Sequence, residues 1–318
     1  GLIGGLLVGL ILVLGSLLRL GFVTDLLSKP IRVGYLNGVA LVVIVGQLPA
    51  LLGFSADGDG LVDEAGNVVT GIADGQTLPA AASIGIGALA VILVLRRVAP
   101  RVPGLLVAVV GAIAAVWAFD LDVPVVGPLP SGLPSPALGT LTWDDAVSLI
   151  GPALGVAVVA FADTGVLSRA FAARAGDDID PNREMAALGL ANLACGATGG
   201  FPVSASSSRT PVAQATGART QLAGVVGAAA VTLVVVAAPG FTRHLPSSAL
   251  AAVVIAAVLS VADVPETVRL LSMNPTEFAL SLIAFAGVAT LGVLRGIAVA
   301  VTLSLLAFVA KAWRPYMA

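Results

Sequence analysis

Hydrophobic positions in this chain fall into long apolar runs separated by short polar turns. The runs cover roughly residues 1 to 18, 31 to 53, 79 to 95, 102 to 120, 146 to 168, 184 to 198, 218 to 238, 247 to 262, 273 to 293 and 296 to 310. A helix needs about 20 mainly apolar residues to cross the hydrocarbon of a bilayer. Each run is therefore predicted to be a membrane helix, the shorter ones through tilt or through ends lying a few residues further out. The proline-rich stretch from Val123 to Pro136 cannot continue a helix and is predicted to be an ordered external connector between two halves, 1–136 and 137–318.

Charge sharpens this into a topology. Short cytoplasmic loops are enriched in Lys and Arg. Arg19, Lys29 and Arg32 share one turn, Arg96, Arg97 and Arg101 another, and Arg169, Arg174 and Arg183 a third, followed by Arg219, Arg269, Lys311 and Arg314. These turns are assigned to the inside, with the C-terminus cytoplasmic. The intervening turns are acidic, with Asp57, Asp59, Asp63, Glu64 and Asp74 in one and Asp120, Asp122, Asp144 and Asp145 in the other, and these are assigned to the outside. Arg243, His244 and Arg295 break the pattern at or near the outer surface. Asp25, Asp263 and Glu266 sit at segment ends, and Asn37 and Gln47 are read as polar bonds between helices.

Composition agrees with a bilayer as the main solvent. Of 318 residues, 58% are hydrophobic and 11% charged, and the mean hydropathy is +1.05; soluble chains carry about 25% charged residues. No basic tract suited to nucleic acid appears. A single cysteine, Cys195, and a single histidine, His244, leave no disulfide and no multi-histidine metal site; neither metal nor cofactor is expected. The first residue is Gly1 with no basic leader, which reads as a chain cut upstream.

The chemistry concentrates after residue 196. An apolar helix runs into Gly196, Gly199, Gly200, Phe201 and Pro202, and then into Val203, Ser204, Ala205, Ser206, Ser207, Ser208, Arg209 and Thr210. The turns on both sides belong to the inside, so the segment must enter the membrane and return. Irregular backbone at that depth is tolerated only where protein or a watery cavity satisfies it. A half-helix starting near Val203 would aim unpaired N–H groups and a positive dipole end at an anion. The hydroxyls add donors, and Arg209 adds a permanent charge. The competing reading is plain helix packing by small residues. Asp163, followed by Thr164 in the run 146 to 168, is a second candidate: a protonatable coupling group, a counter-charge to Arg209, or a carboxylate bonded to Thr164 or nearby backbone. Glu184 is read as a first-turn residue, and Cys195 as a small packing residue.

These residues resemble the SulP family of anion transporters, solute carrier family 26 in animals. The resemblance is carried by Ser28-Lys29-Pro30-Ile31-Arg32-Val33-Gly34-Tyr35, Gln47-Leu48, Leu51-Leu52-Gly53 and the loop Pro130-Ser131-Gly132-Leu133-Pro134. More specific are Ile179-Asp180-Pro181-Asn182-Arg183-Glu184, Ala187-Leu188-Gly189-Leu190-Ala191-Asn192, Gly199-Gly200-Phe201-Pro202, Ser206 to Thr210, and Gly217 to Gly224. The resemblance implies an all-α polytopic membrane protein, part of a 7+7 inverted-repeat transporter fold with core and gate domains and a broken half-helix near residues 203–215. In that register the runs 1–18, 31–53, 146–168 and 296–310 are like the family's fourth, fifth, eighth and fourteenth segments. Residues 203–215 are like the tenth, whose N-terminus faces that of the third across the anion. Ser208 and Arg209 would then lie at the anion, and Asp163 where relatives keep an acidic or cation-site residue.

Segments one to three and the family's cytoplasmic C-terminal domain have no counterpart, which predicts a fragment with an incomplete anion site and poor transport on its own. The function implied is secondary active transport of a small inorganic or carboxylate anion (sulfate, bicarbonate, chloride or dicarboxylate) by core-against-gate alternating access in the plasma membrane. Proton or sodium coupling and a homodimer are left open. The alternatives are an anion channel or uniporter, and a nucleobase permease, which would want carboxylates where this chain has serines and Arg209. An intramembrane serine hydrolase lacks a nearby histidine or lysine, and a purely structural membrane protein would require Arg209 to face lipid or the surface.

Overall fold

In the computed structural model the described residues are 2–22, 29–56, 58, 60–127, 143–176, 178–206, 210, 213, 218, 220–237, 243–292, 295–296, 299, 302–303 and 306. They form eleven named helices: α1 (Leu2–Leu17), α2 (Lys29–Leu52), α3 (Leu61–Ala73), α4 (Pro79–Val98), α5 (Gly104–Phe119), α6 (Trp143–Ala175), α7 (Pro181–Ala197), α8 (Leu222–Ala237), α9 (Ser247–Leu259), α10 (Val264–Met273) and α11 (Pro275–Leu291). A 3-10 turn, Leu20–Phe22, follows α1. Each predicted apolar run up to residue 293 contains a helix. The run 296–310 and residues 128–136 of the connector lie largely outside the described residues, as does the boundary drawn at 136.

The predicted acidic outer loop is corrected in one respect: Leu61–Ala73 is helical. Similarly, Val264–Met273 forms a helix of its own between two apolar ones. Both helices have polar residues among their apolar ones, so a search for unbroken apolar runs passes over them. Helix starts follow local chemistry. The Asp180 carboxylate accepts from Asn182 N (2.9 Å) and Arg183 N (3.4 Å) and so caps α7. Asp263 caps α10 through Glu266 N (3.1 Å), and Asn274 caps α11 through Thr276 N (3.1 Å). Each capped helix has proline in its first turn, where a missing N–H costs nothing. Asp263 thus has the ordinary segment-end role expected of it.

The chain divides into two compact units, each drawn from separate stretches. Unit 1 comprises Gly1–Lys29, Leu133–Ala230 and Ile297–Ala318; unit 2 comprises Pro30–Gly132 and Val231–Gly296. In unit 1, Val8 and Leu12 of α1, Ala153, Ala157, Ala160 and Phe161 of α6, and Met185 and Leu188 of α7 form one buried cluster. Helices α1 and α7 meet through glycine: a Cβ on Gly9 would stand 2.6 Å from Leu193 N, and one on Gly196 2.5 Å from Leu6 N. Backbones approach this closely only where side chains are absent. Asn182 ties the end of α1 to the start of α7, accepting from Ser16 Oγ (2.7 Å) at its carbonyl and from Gly21 N (2.9 Å) at its side chain.

In unit 2, Leu51, Ala88, Ile92, Ala108, Ala112, Ala249, Ala252 and Ile255 belong to the core of α2, α4, α5 and α9. A methyl on Gly34 of α2 would collide with the backbone of Ser281 on α11. Asn37 makes the interhelical bond expected of it: Asp263 N donates to its Oδ1 (2.8 Å), and its Nδ2 donates to Thr267 Oγ1 (2.9 Å) and Asp263 O (3.4 Å). Past α5 the chain runs antiparallel to Leu245–Ser247, with Val126 N on Leu245 O (3.0 Å) and Ser247 N on Pro124 O (2.9 Å).

Four helical stretches, Lys29–Leu52, Pro79–Val98, Ala146–Arg169 and Ser247–Met273, are long and apolar enough to cross a membrane, and shorter apolar helices accompany them. Leu106, Trp117, Val226 and Leu233 are among many large apolar side chains left exposed. Such a surface suits lipid and would aggregate in water.

Candidate functional site

The site is built where α7 stops. Its end is a Schellman motif: Gly199 takes a left-handed conformation (φ 81°), Gly200 N donates to Cys195 O (2.8 Å), and Gly199 N donates to Gly196 O (2.9 Å). Glycine enters the left-handed region without steric cost, so these residues end the helix here. A Cβ on Gly200 would meet Cys195 Sγ at 2.6 Å, leaving no room for a side chain. Pro202 then lacks the N–H that would let a helix resume at once. From Gly200 to Ser206 the chain is irregular. The predicted break is present.

Two helices of unit 1 hold this segment between them. On the α7 side, Val203 N donates to Asn192 Oδ1 (2.8 Å), and Asn192 Nδ2 donates to Val203 O (3.0 Å) and to Leu188 O (2.9 Å). On the α6 side, Ser204 Oγ donates to Ala160 O (3.2 Å), and Ala205 N donates to Thr164 Oγ1 (3.4 Å). Thr164 Oγ1 in turn donates to Ala160 O (2.8 Å). The next recorded turn closes from Thr210 N to Ser206 O (3.1 Å), an α-helical spacing.

This arrangement corrects part of the sequence reading. The sequence predicts unpaired amides at Val203 and Ala205 and a hydroxyl donor at Ser204; all three are bonded within the protein. Residues 203–205 are therefore bonded to α6 and α7 rather than open to a ligand. Ser207, Ser208 and Arg209 lie outside the described residues. Thr210 is exposed, Ser206 partly buried, and Asp163 partly buried on α6 beside Thr164.

Asn192 carries no role in the sequence reading beyond its place in a family motif, yet it is fully buried. The signal for it was available: a lone carboxamide in an apolar helix must find partners or pay for its desolvation. Its partner, Val203, could not be read from the sequence because the pairing is tertiary. Cys195 is partly buried, and its thiol donates to Phe201 O at 3.0 Å. No group of three His, Cys, Asp or Glu that could hold a metal occurs among the described residues.

Comparison with known proteins places this geometry. A family model described as "Sulfate permease family" matches residues 2–284. A probable sulfate transporter of Mycobacterium tuberculosis is 41% identical over 317 residues, covering 98% of this chain and 56% of the relative. Human solute carrier family 26 member 6 is 32% identical over 326 residues, covering 98% of this chain and 43% of the relative. The chain thus spans about half the length of these relatives. Among solved structures, SLC26A9 superposes with a TM-score of 0.88 at 20% identity, covering 98% of this chain and 51% of that one. The transmembrane domain of a cyanobacterium bicarbonate transporter, BicA, superposes with a TM-score of 0.77 at 18% identity, covering 96% and 74%. The fold is accordingly part of the 7+7 inverted-repeat transporter fold with core and gate domains.

Proposed function

The chain belongs to the sulfate permease family, and on that premise we propose that it binds and carries a small oxygen-rich anion at the helical turn opening at Ser206. The observation that carries this reading is the helix break between Gly199 and Ser206, held on both sides by α6 and α7. A half-helix start presents N–H groups and the positive end of its dipole. Ser206, Ser207, Ser208 and Thr210 add hydroxyl donors, and Arg209 supplies the fixed positive charge. Val203, Ser204 and Ala205 bind no anion in this scheme; their bonds to Asn192, Ala160 and Thr164 hold the turn in place. All these residues belong to unit 1, so the site would move with that unit as the core in core-against-gate alternating access. Asp163, on the helix that anchors Ser204, is the group for proton or sodium coupling.

Sulfate leads the candidate substrates, from the names of the relatives; bicarbonate, chloride and dicarboxylates follow. The test is uptake of labelled sulfate, bicarbonate and chloride into liposomes holding the full-length protein, with Arg209→Ala alongside. Transport predicts saturable uptake accelerated by unlabelled anion on the opposite side, and at least tenfold weaker uptake in Arg209→Ala, as for loss of a charged hydrogen-bond partner of about 1.5–3 kcal/mol. Non-saturating flux without acceleration would favour a channel, and an unaffected Arg209→Ala would remove the turn from the site.

A further inference from the structure

We propose that Asn192 is a positioning residue for anion transport: its carboxamide pairs with both backbone groups of Val203 and thereby fixes where the Ser206–Thr210 turn stands. The inference rests on the transport reading above, but its geometry is independent of that reading. A side-chain amide has one acceptor face and one donor face, as a peptide group does. Asn192 uses both on a single residue, accepting from Val203 N at 2.8 Å and donating to Val203 O at 3.0 Å. Its second amide hydrogen goes to Leu188 O at 2.9 Å, which locks the carboxamide to its own helix. Val203 has left the regular hydrogen-bonding of α7, and it is attached here as one strand residue is attached to another.

Packing alone does not require an asparagine. A leucine would occupy the fully buried position without burying a polar group. What only a carboxamide of this length provides is two-point attachment of an irregular backbone. Aspartate keeps the acceptor and loses the donors, leucine loses both, and glutamine is one methylene too long.

The same device recurs in unit 2. Asn37 Oδ1 accepts from Asp263 N at 2.8 Å, and Asn37 Nδ2 donates to Asp263 O at 3.4 Å. Asp263 is the residue that caps α10. Val203 likewise stands just ahead of a helical turn, the one that closes from Thr210 to Ser206. In both units a carboxamide grips both backbone groups of a residue at the threshold of a helix start. At Asp263 the helix so placed is α10; at Val203 it is the turn proposed above for the anion.

The test compares the full-length protein with Asn192→Asp and Asn192→Leu, using labelled sulfate uptake into liposomes and amide hydrogen exchange of peptides spanning 198–206. The expected result is a sulfate KM raised about tenfold in Asn192→Asp, as for loss of the two bonds its amide hydrogens make, and further in Asn192→Leu. Maximal rate per folded molecule should stay within about twofold, and the Val203 amide should be protected in the parent and unprotected in Asn192→Leu. A purely structural residue would lower the yield of folded protein or its Tm and leave KM unchanged; that result overturns the proposal, as does a Val203 amide that exchanges freely in the parent. If neither variant folds, Asn192 holds the fold rather than the site, and the proposal falls. If the parent takes up no sulfate, bicarbonate or chloride by a saturable route, the transport reading fails and the positioning role fails with it, while the exchange data still report whether the attachment exists.

Discussion

At the scale of single residues, the break after α7 depends on two glycines with distinct tasks. Gly199 supplies the left-handed backbone, and Gly200 the empty space beside Cys195. Gly199→Ala is expected to cost about 1–2 kcal/mol through backbone strain alone, seen as a lowered Tm in detergent. Gly200→Val should do more damage, since its side chain meets both the sulfur and the carbonyl of Cys195. Asp163→Asn tests coupling: any dependence of uptake on a proton or sodium gradient should disappear, and a dependence that persists assigns the coupling elsewhere. Sequence alone shows the break itself, since Gly-Gly-Phe-Pro can hardly be anything else. It does not show which amides stay free. Val203 N–H looks like an available donor until Asn192, eleven positions earlier, is folded against it.

Among helices, the contact of α1 with α7 is where small side chains matter most. Gly9 and Gly196 let the backbones touch, so Gly9→Ala or Gly196→Ala must push the helices apart or shift their register. Each is expected to cost about 1–3 kcal/mol, as overpacking does, while Gly87→Ala, on an open face of α4, should leave the Tm unchanged or raise it slightly. Thermal unfolding of the three variants in one detergent checks the contrast. The membrane helices are legible in the sequence because lipid demands long apolar runs. The α3 and α10 helices are not, because each has one partly buried face and one exposed face on which Val62 and Val69, or Val264 and Val268, stand among polar neighbours. Such a stretch looks like a polar loop when only run length is scored.

For the molecule as a whole, the charges of the turns predict an orientation that can be checked directly. With Cys195 replaced by alanine, a cysteine at Asn67 should react with a membrane-impermeant maleimide added to intact cells, and one at Ser272 only after permeabilisation. The reverse result would invert the topology. The division into two units was not readable from hydropathy, because run length says where helices are and nothing about which of them touch. Chain order suggests halves on either side of the proline-rich connector, whereas contacts group α2–α5 with α9–α11, and α1 with α6 and α7. This interleaving sets a schedule for biosynthesis. When the ribosome has delivered α5, the residues that will lie against Val126 and Pro124 are still more than a hundred codons away. Neither unit can close on the first half of the translation product, so α2 to α5 must wait, inserted and incompletely paired, until α9 to α11 arrive.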